Sequence, residues 1–257
     1  MMSSTRTLAA LLLLLIVPFS LSAQRGGVAG GRGGAAGGGG GAQQNAPIDL
    51  TGYWVSVVVE DWEFRMVTPR KGVYDTLNLN AEGRRVGDTW DPAKDEAAGE
   101  QCRAYGAGNI MRIPARLHIT WDNPNTLKME TDIGMQTRLF RFGAAATPAG
   151  EPSWQGNSVA EWEVAAGARG APRAGSLKVV TTNLKPGYIR KNGAPYSKNT
   201  TVTEFYDLHT TPNGDRWISV TTKVDDPTYF TRPYITTSDF KKLPDAAGWT
   251  PTPCSAK

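Results

Sequence analysis

Hydrophobic and polar side chains alternate along short stretches of this chain, and each stretch ends in turn-forming residues. Residues 117–121 run Leu117, His118, Ile119, Thr120, Trp121, after which Asp122-Asn123-Pro124-Asn125 supplies a turn. Residues 126–132 place Leu127, Met129 and Thr131 on one side and Lys128, Glu130 and Asp132 on the other. Gly134 turns the chain into 135–142, and similar runs follow at 159–164, 177–182, 202–208 and 217–223. Two more come earlier: 53–59, apolar and β-branched, and 73–79, where Val73, Asp75, Leu77 and Leu79 alternate with Tyr74, Thr76 and Asn78. A period of two bounded by Gly, Pro, Asn and Asp is the pattern of a half-buried strand. Thr210-Thr211-Pro212-Asn213-Gly214-Asp215 carries hairpin chemistry between the last two runs. Eight or nine runs with short links predict an all-β, mainly antiparallel up-and-down meander, which closure into a barrel would free of exposed edges.

One region breaks the alternation. Asn80 is placed to cap a helix from Ala81, with Glu82 in its first turn. Residues 93–105 read as a second helix that starts after Pro92 and stops at Gly106 and Gly108. A short helical insert near 81–105 is thus expected to close one end of the barrel. Residues 144–173, rich in Gly, Ala and Pro, read as surface loop around the strand at 159–164.

The N-terminus has a different pattern. Arg6 precedes an unbroken apolar run at 8–17, Pro18 breaks it, and Ser20, Ser22 and Ala23 follow. The run falls short of the roughly 20 residues that span a bilayer. Its order of charge, apolar core and small residues is that of a cleaved secretory signal, 1–23. Eleven glycines among the sixteen residues 26–41 make 24–46 a flexible linker. Residues 47–257 suffice for a single barrel domain. No later apolar stretch is long enough to span a membrane, so the protein is expected to be secreted or periplasmic. In that oxidising setting Cys102 and Cys254, the only cysteines, are expected to form a disulfide, with two free thiols as the alternative.

Charge narrows the partners. The chain carries +4, but Arg6, Arg25 and Arg32 precede residue 47 while every acidic residue follows it, so 47–257 holds 25 basic against 24 acidic residues. A body at +1 gives no electrostatic case for nucleic acid or an anionic membrane.

Gly52-Tyr53-Trp54, opening the first run, is similar to the Gly-x-Trp signature of lipocalin-type barrels. The segments 177–184, Gly187-Tyr188-Ile189-Arg190-Lys191-Asn192-Gly193 and Asp226-Pro227-Thr228-Tyr229-Phe230-Thr231-Arg232-Pro233-Tyr234 resemble a family of secreted, acidobacterial-type bacterial proteins. The resemblance covers most of 48–243 and implies an exported lipocalin-like barrel; that family carries no activity or catalytic residues to transfer. It also implies structural roles for Gly52, where the chain bends tightly, and for Trp54, packed at the closed end with Arg232 lying across its ring.

Candidate chemistry is sparse. No nucleophile elbow, zinc-protease helix, phosphate loop or dinucleotide fingerprint occurs, and no metal or cofactor is implied. His118 lies on the polar face of its run and His209 ends another; Glu161 and Glu163 share a strand face, and Asp225-Asp226 precede Pro227. His118, or a strand carboxylate such as Glu204, is the acid–base group an enzyme would use. Tryptophans are the usual lining of small-molecule pockets, which selects Trp62, Trp121, Trp162 and Trp217. Arg112, Arg116 and Arg138 alternate with apolar residues, and an inward arginine such as Arg138 needs an acidic partner or an anionic ligand. The expected function is binding of a small apolar or amphipathic molecule in a barrel cavity. The alternatives are an extracytoplasmic hydrolase or isomerase using that cavity, and a surface interaction module without one.

Overall fold

The structure, a computed structural model, describes residues 40–143, 150–164 and 174–257. Its strands are β1 (Gly52–Val57), β2 (Arg116–Asn123), β3 (Thr126–Thr131), β4 (Thr137–Phe142), β5 (Asn157–Val164), β6 (Gly175–Thr182), β7 (Gly187–Arg190), β8 (Ala194–Tyr196), β9 (Thr201–Thr210), β10 (Arg216–Asp225) and β11 (Tyr234–Lys242). Nine of them close into a barrel in the order β1-β11-β10-β9-β6-β5-β4-β3-β2, and β7 and β8 pair separately. An odd number of strands cannot alternate in direction all the way round a closed ring. The mismatch falls at β4 and β5, which pair parallel with Phe140 opposite Ser158. A parallel neighbour requires a long return connection. Residues 143–156 provide it, in part outside the described residues.

The barrel has a base and a mouth. β1 begins at the base, where β2, β4, β5 and β9 end, and its last residues point to the mouth, where β9 and β11 begin. Inward-facing Trp54, Leu117, Ile119, Leu127, Met129, Phe140, Leu177, Val179, Tyr206, Ile218, Val220 and Phe240 form one core cluster, all but fully buried. The barrel is therefore filled by its own side chains over this length.

At the base Trp54 is wholly buried and its indole N–H donates to Leu50 O at 2.9 Å. The cation across its ring is Lys242, with Nζ 4.5 Å from the ring centre, and not Arg232. Arg232 is exposed near the mouth and donates to Asn78 Oδ1 at 3.0 Å. The reason is register: Lys242 lies directly opposite Trp54 across the β1–β11 ladder, whereas Arg232 precedes β11. Lys242 also donates to Thr51 O. Gly52 has φ +103°, and a Cβ there would meet the Lys242 ammonium, so position and conformation both select glycine. Residues 40–46, expected in the linker, belong to the base: Gln43 N donates to Pro124 O, Ala42 N to Asn125 Oδ1, and Ala42 O accepts from Trp162. The expected signal segment 1–23 and the rest of the linker lie outside the described residues, as do parts of the 144–173 loop.

Between β1 and β2 the chain builds a cap over the mouth from α1 (Trp62–Met66), α2 (Ala81–Gly87), α3 (Pro92–Ala97) and two short 3-10 turns, Arg103–Tyr105 and Ile110–Arg112. Asn80 caps α2, its Oδ1 accepting from Gly83 N at 2.8 Å. The helix expected over 93–105 is shorter: Asp91 caps it, it stops at Ala97, and Gly99 reverses the chain at φ +72°. The 73–79 run is not a strand. Tyr74, Leu77 and Leu79 are buried, which is not a period of two, and side chains engage its carbonyls: Asn192 donates to Val73 O and Arg190 to Asp75 O. Leu79 forms only an isolated bridge to Phe230. The disulfide between Cys102 and Cys254 is present, with Cα atoms 5.1 Å apart, and ties the C-terminal tail to the cap. Among the described residues no helix is long and apolar enough to cross a membrane.

Candidate functional site

The residues singled out from the sequence do not converge. Trp62 is 63% exposed on the outer side of α1. Trp217 faces outward on β10 beside Lys241. Trp121 and Trp162 point inward, but they pack with Phe142 as an aromatic plug at the base, ring centres 5.3–6.5 Å apart. These tryptophans therefore line no common cavity. His118 is on the outer face of β2, stacked on Tyr53 at 4.1 Å with Glu130 Oε2 3.5 Å away. Glu204 lies inside the barrel, on the other side of the wall from His118, so the two share no acid–base site. His209 ends β9 in solvent, and Lys178 bridges Glu161 and Glu163 on the outer surface. Asp226 is a turn former: it accepts from Ser197 N, Ser197 Oγ and Thr228 N.

Arg138 is buried in the barrel, and its partner is Glu204 rather than a ligand. The pair is bidentate, Nη1 to Oε1 at 2.8 Å and Nη2 to Oε2 at 2.6 Å, with both side chains wholly buried. Thr181 Oγ1 accepts from Nη2 at 3.2 Å and bonds Ser158 Oγ at 2.8 Å; Tyr206 OH donates to Glu204 at 3.4 Å. Burial alone would make the guanidinium release its proton more readily, but the adjacent carboxylate outweighs it and holds Arg138 firmly charged.

The cap creates a different situation. A cleft of about 50 Å³ opens at the mouth, lined by Phe64, Arg65, Pro69, Arg112, Ile113 and Arg190, with Thr68, Asn109, Pro114 and Lys191 completing it. Three segments deliver the arginines: α1, the second 3-10 turn and the end of β7. Each is at least nine-tenths buried. Arg65 donates from Nε to Arg112 O at 2.9 Å, and Arg112 reaches Thr236 Oγ1 at 2.8 Å and Asp61 Oδ2 at 2.7 Å. Arg190 donates to Asp75 O and Thr76 Oγ1 and lies 4.4 Å over the Phe64 ring. Among the described residues Asp61 is the one carboxylate ion-paired with any of the three. Arg65 Nη1 and Arg190 Nε are buried without a hydrogen-bond partner. Burial, and then the charge of Arg112, weaken the hold of Arg65 on its proton; at Arg190 burial leads, opposed by Tyr234 and reinforced by Arg112.

A second cleft, of about 200 Å³ between α3 and the β7–β8 hairpin, includes Trp90, Asp95, Arg103, Tyr188 and Tyr196. Its charges balance: Asp95 accepts from Arg103 at 2.9 Å and from Tyr188 OH at 2.8 Å. Of these two clefts the mouth cleft is the one with excess charge. Of its arginines, Arg112 stands out in the sequence by its alternation with apolar neighbours. Arg65 and Arg190 carry the fainter signal of an arginine directly beside apolar residues, in Phe64-Arg65-Met66-Val67 and Tyr188-Ile189-Arg190.

Comparison of the chain with protein-family models, with curated proteins and with solved structures returned no match.

Proposed function

We propose that this is an exported protein that binds a small amphipathic anion at the barrel mouth. The observation that carries the reading is three buried arginines on one cleft, with one carboxylate between them. Buried charge is costly unless paired, and an anionic group entering the cleft would supply the missing partner. Phe64, Pro69, Ile113 and Pro114 offer the adjoining apolar surface. The packed core moves the expected ligand from the barrel interior to its mouth. Export rests on the charge, apolar core and small-residue pattern of 1–23, together with the disulfide.

Calorimetric titration of the mature protein with a medium-chain carboxylate, the matching amine and the matching alcohol tests this. Binding of the carboxylate alone is expected. Equal binding of all three would return the protein to an apolar binder, and binding of none would leave it an interaction module.

A further inference from the structure

The charge count at the mouth cleft says more than that its ligand is anionic. Arg65, Arg112 and Arg190 bring three positive charges to one cleft, and Asp61 cancels one through its contact with Arg112. Tyr234 OH also donates to that carboxylate, at 3.4 Å, on the same oxygen that Arg112 holds. Glu60 and Asp239 act on Arg65 only from a distance, and Asp239 itself accepts from Ser219 Oγ at 2.6 Å. Among the described residues two of the three guanidinium groups thus have no ion pair, Glu60 and Asp239 offsetting Arg65 over longer range, and Lys191 at the edge of the cleft adds a further positive charge.

The donor geometry agrees with the count. Arg112 has both terminal nitrogens committed, to Thr236 and Asp61. Arg65 and Arg190 each retain a buried nitrogen without an acceptor, Nη1 and Nε respectively, and they come from two separate elements, α1 and β7, with Arg190 stacked over Phe64 beside Arg65. A group with oxygens on several sides can accept from both, and Thr68 on the wall adds a hydroxyl. Volume sets the size. A buried water needs about 10–15 Å³ by this measure, so the cleft has room for roughly three to five waters, about the space of one tetrahedral oxyanion and too little for a ring system.

We infer that the cleft is a site for a tetrahedral dianion, a phosphate monoester group or the free phosphate or sulfate ion, held by Arg65 and Arg190 directly and by Arg112 and Lys191 through their charge. The assignment rests on reading the cleft as an anion site and adds the class of anion. Guanidinium groups suit it because their planar donor sets match tetrahedral oxyanions and they stay charged when buried. The organic part of a monoester would leave past Phe64 and Pro69 towards the rim, where Trp62 and Met66, four residues apart on the outer face of α1, and Val67 are exposed.

The test is calorimetric titration of the mature wild-type protein with inorganic phosphate, sulfate, a short alkyl phosphate and acetate, at constant ionic strength made up with chloride. The dianions are expected to bind at least about tenfold more tightly than acetate, since each brings two negative charges to the unpaired guanidinium groups where acetate brings one. Tighter binding of the alkyl phosphate than of inorganic phosphate would identify an ester as the source, and equal binding the free anion; both uphold the site. Acetate binding as tightly as phosphate would overturn the dianion while leaving the anion reading intact. No binding of any of the four would overturn both. Arg190→Gln is expected to abolish the preference for dianions. Should that variant fail to fold, Lys191→Gln, at a half-buried position, is expected to weaken phosphate binding severalfold and acetate binding less. Unchanged phosphate affinity in a folded Arg190→Gln protein would refute the assignment.

Discussion

Replacing Glu204 or Arg138 singly should be among the most damaging changes available in this barrel, while replacing both should be nearly harmless. Glu204 sits on β9 between Val179 of β6 and Thr222 of β10, with no solvent contact, and Arg138 reaches it from β4 across the barrel. Arg138→Met leaves the carboxylate with Tyr206 OH at 3.4 Å as its remaining side-chain donor. Glu204→Gln leaves a charged guanidinium among neutral acceptors. Breaking a buried pair on one side costs about 3–5 kcal/mol. For a domain of this size each kcal/mol lowers Tm by about 2–4 °C, so each single variant should melt roughly 6–20 °C early. In the double variant Arg138→Met/Glu204→Met no buried charge remains. Thr181 and Ser158 keep each other's hydrogen bond at 2.8 Å, and the outstanding cost is the Tyr206 hydroxyl, about 1 kcal/mol. Urea unfolding of the four proteins, followed by tryptophan fluorescence, measures the coupling directly. If the double variant lost the sum of the single losses, the pair would be uncoupled and the barrel interior wetter than the geometry describes.

At the base, Lys242→Ala should cost about 1–2 kcal/mol through the lost contact with the Trp54 ring, whereas Arg232→Ala on the surface should stay within about 0.5 kcal/mol. The reverse order in thermal melts would restore Arg232 to the role that the lipocalin resemblance suggested. In alkali, Tyr74 is pushed up to about 12, by burial first and then by its hydrogen bond to Asp88 Oδ1 at 2.9 Å. Its folded pKa lies above the unfolded value of 10.0, so its contribution is fully present below pH 10 and is lost as pH rises through about 12. Tyr74→Phe should therefore make the fall of stability between pH 10 and 12 shallower by one proton; an unchanged slope in pH-dependent urea unfolding would contradict the assignment.

The strands were legible wherever the inward face is apolar. In β2, β3, β6 and β10 the alternation survives because every second side chain enters the core. β11 carries the same alternation with Thr236 and Ser238 at inward positions, so its apolar signal vanishes although its geometry is regular. Thr236 is polar for a reason visible only in three dimensions: its hydroxyl accepts from Arg112, which arrives from the cap. The 73–79 segment fails in the opposite sense. Its alternation in the sequence is satisfied by packing against the cap, and Asn192 and Arg190 bind carbonyls that a neighbouring strand would otherwise have engaged. The parallel β4–β5 contact was not readable either, because it follows from closing a ring of nine, a property of the count and of no single run.

The candidate site was less legible than the fold, and the contrast between its two kinds of arginine explains why. Arg138 and Glu204 both lie on recognisable strands, and an inward arginine demands a partner, so a buried pair could be anticipated from alternation alone. Arg65, Arg112 and Arg190 lie in short irregular segments where no periodicity says which way a side chain points, and they meet only because those segments fold over one barrel mouth. Burying three guanidinium groups there without matching carboxylates lowers the stability of the unliganded fold. The fold partly offsets this with Asp61 and with backbone carbonyls of Arg112 and Asp75. It leaves Arg65 Nη1 and Arg190 Nε unmet. Arg138 and Arg103 also keep a buried Nε without an acceptor, but each is ion-paired with a carboxylate, Glu204 and Asp95 respectively. Arg65 and Arg190 have no ion pair among the described residues, so their cleft is where an external anion would contribute most.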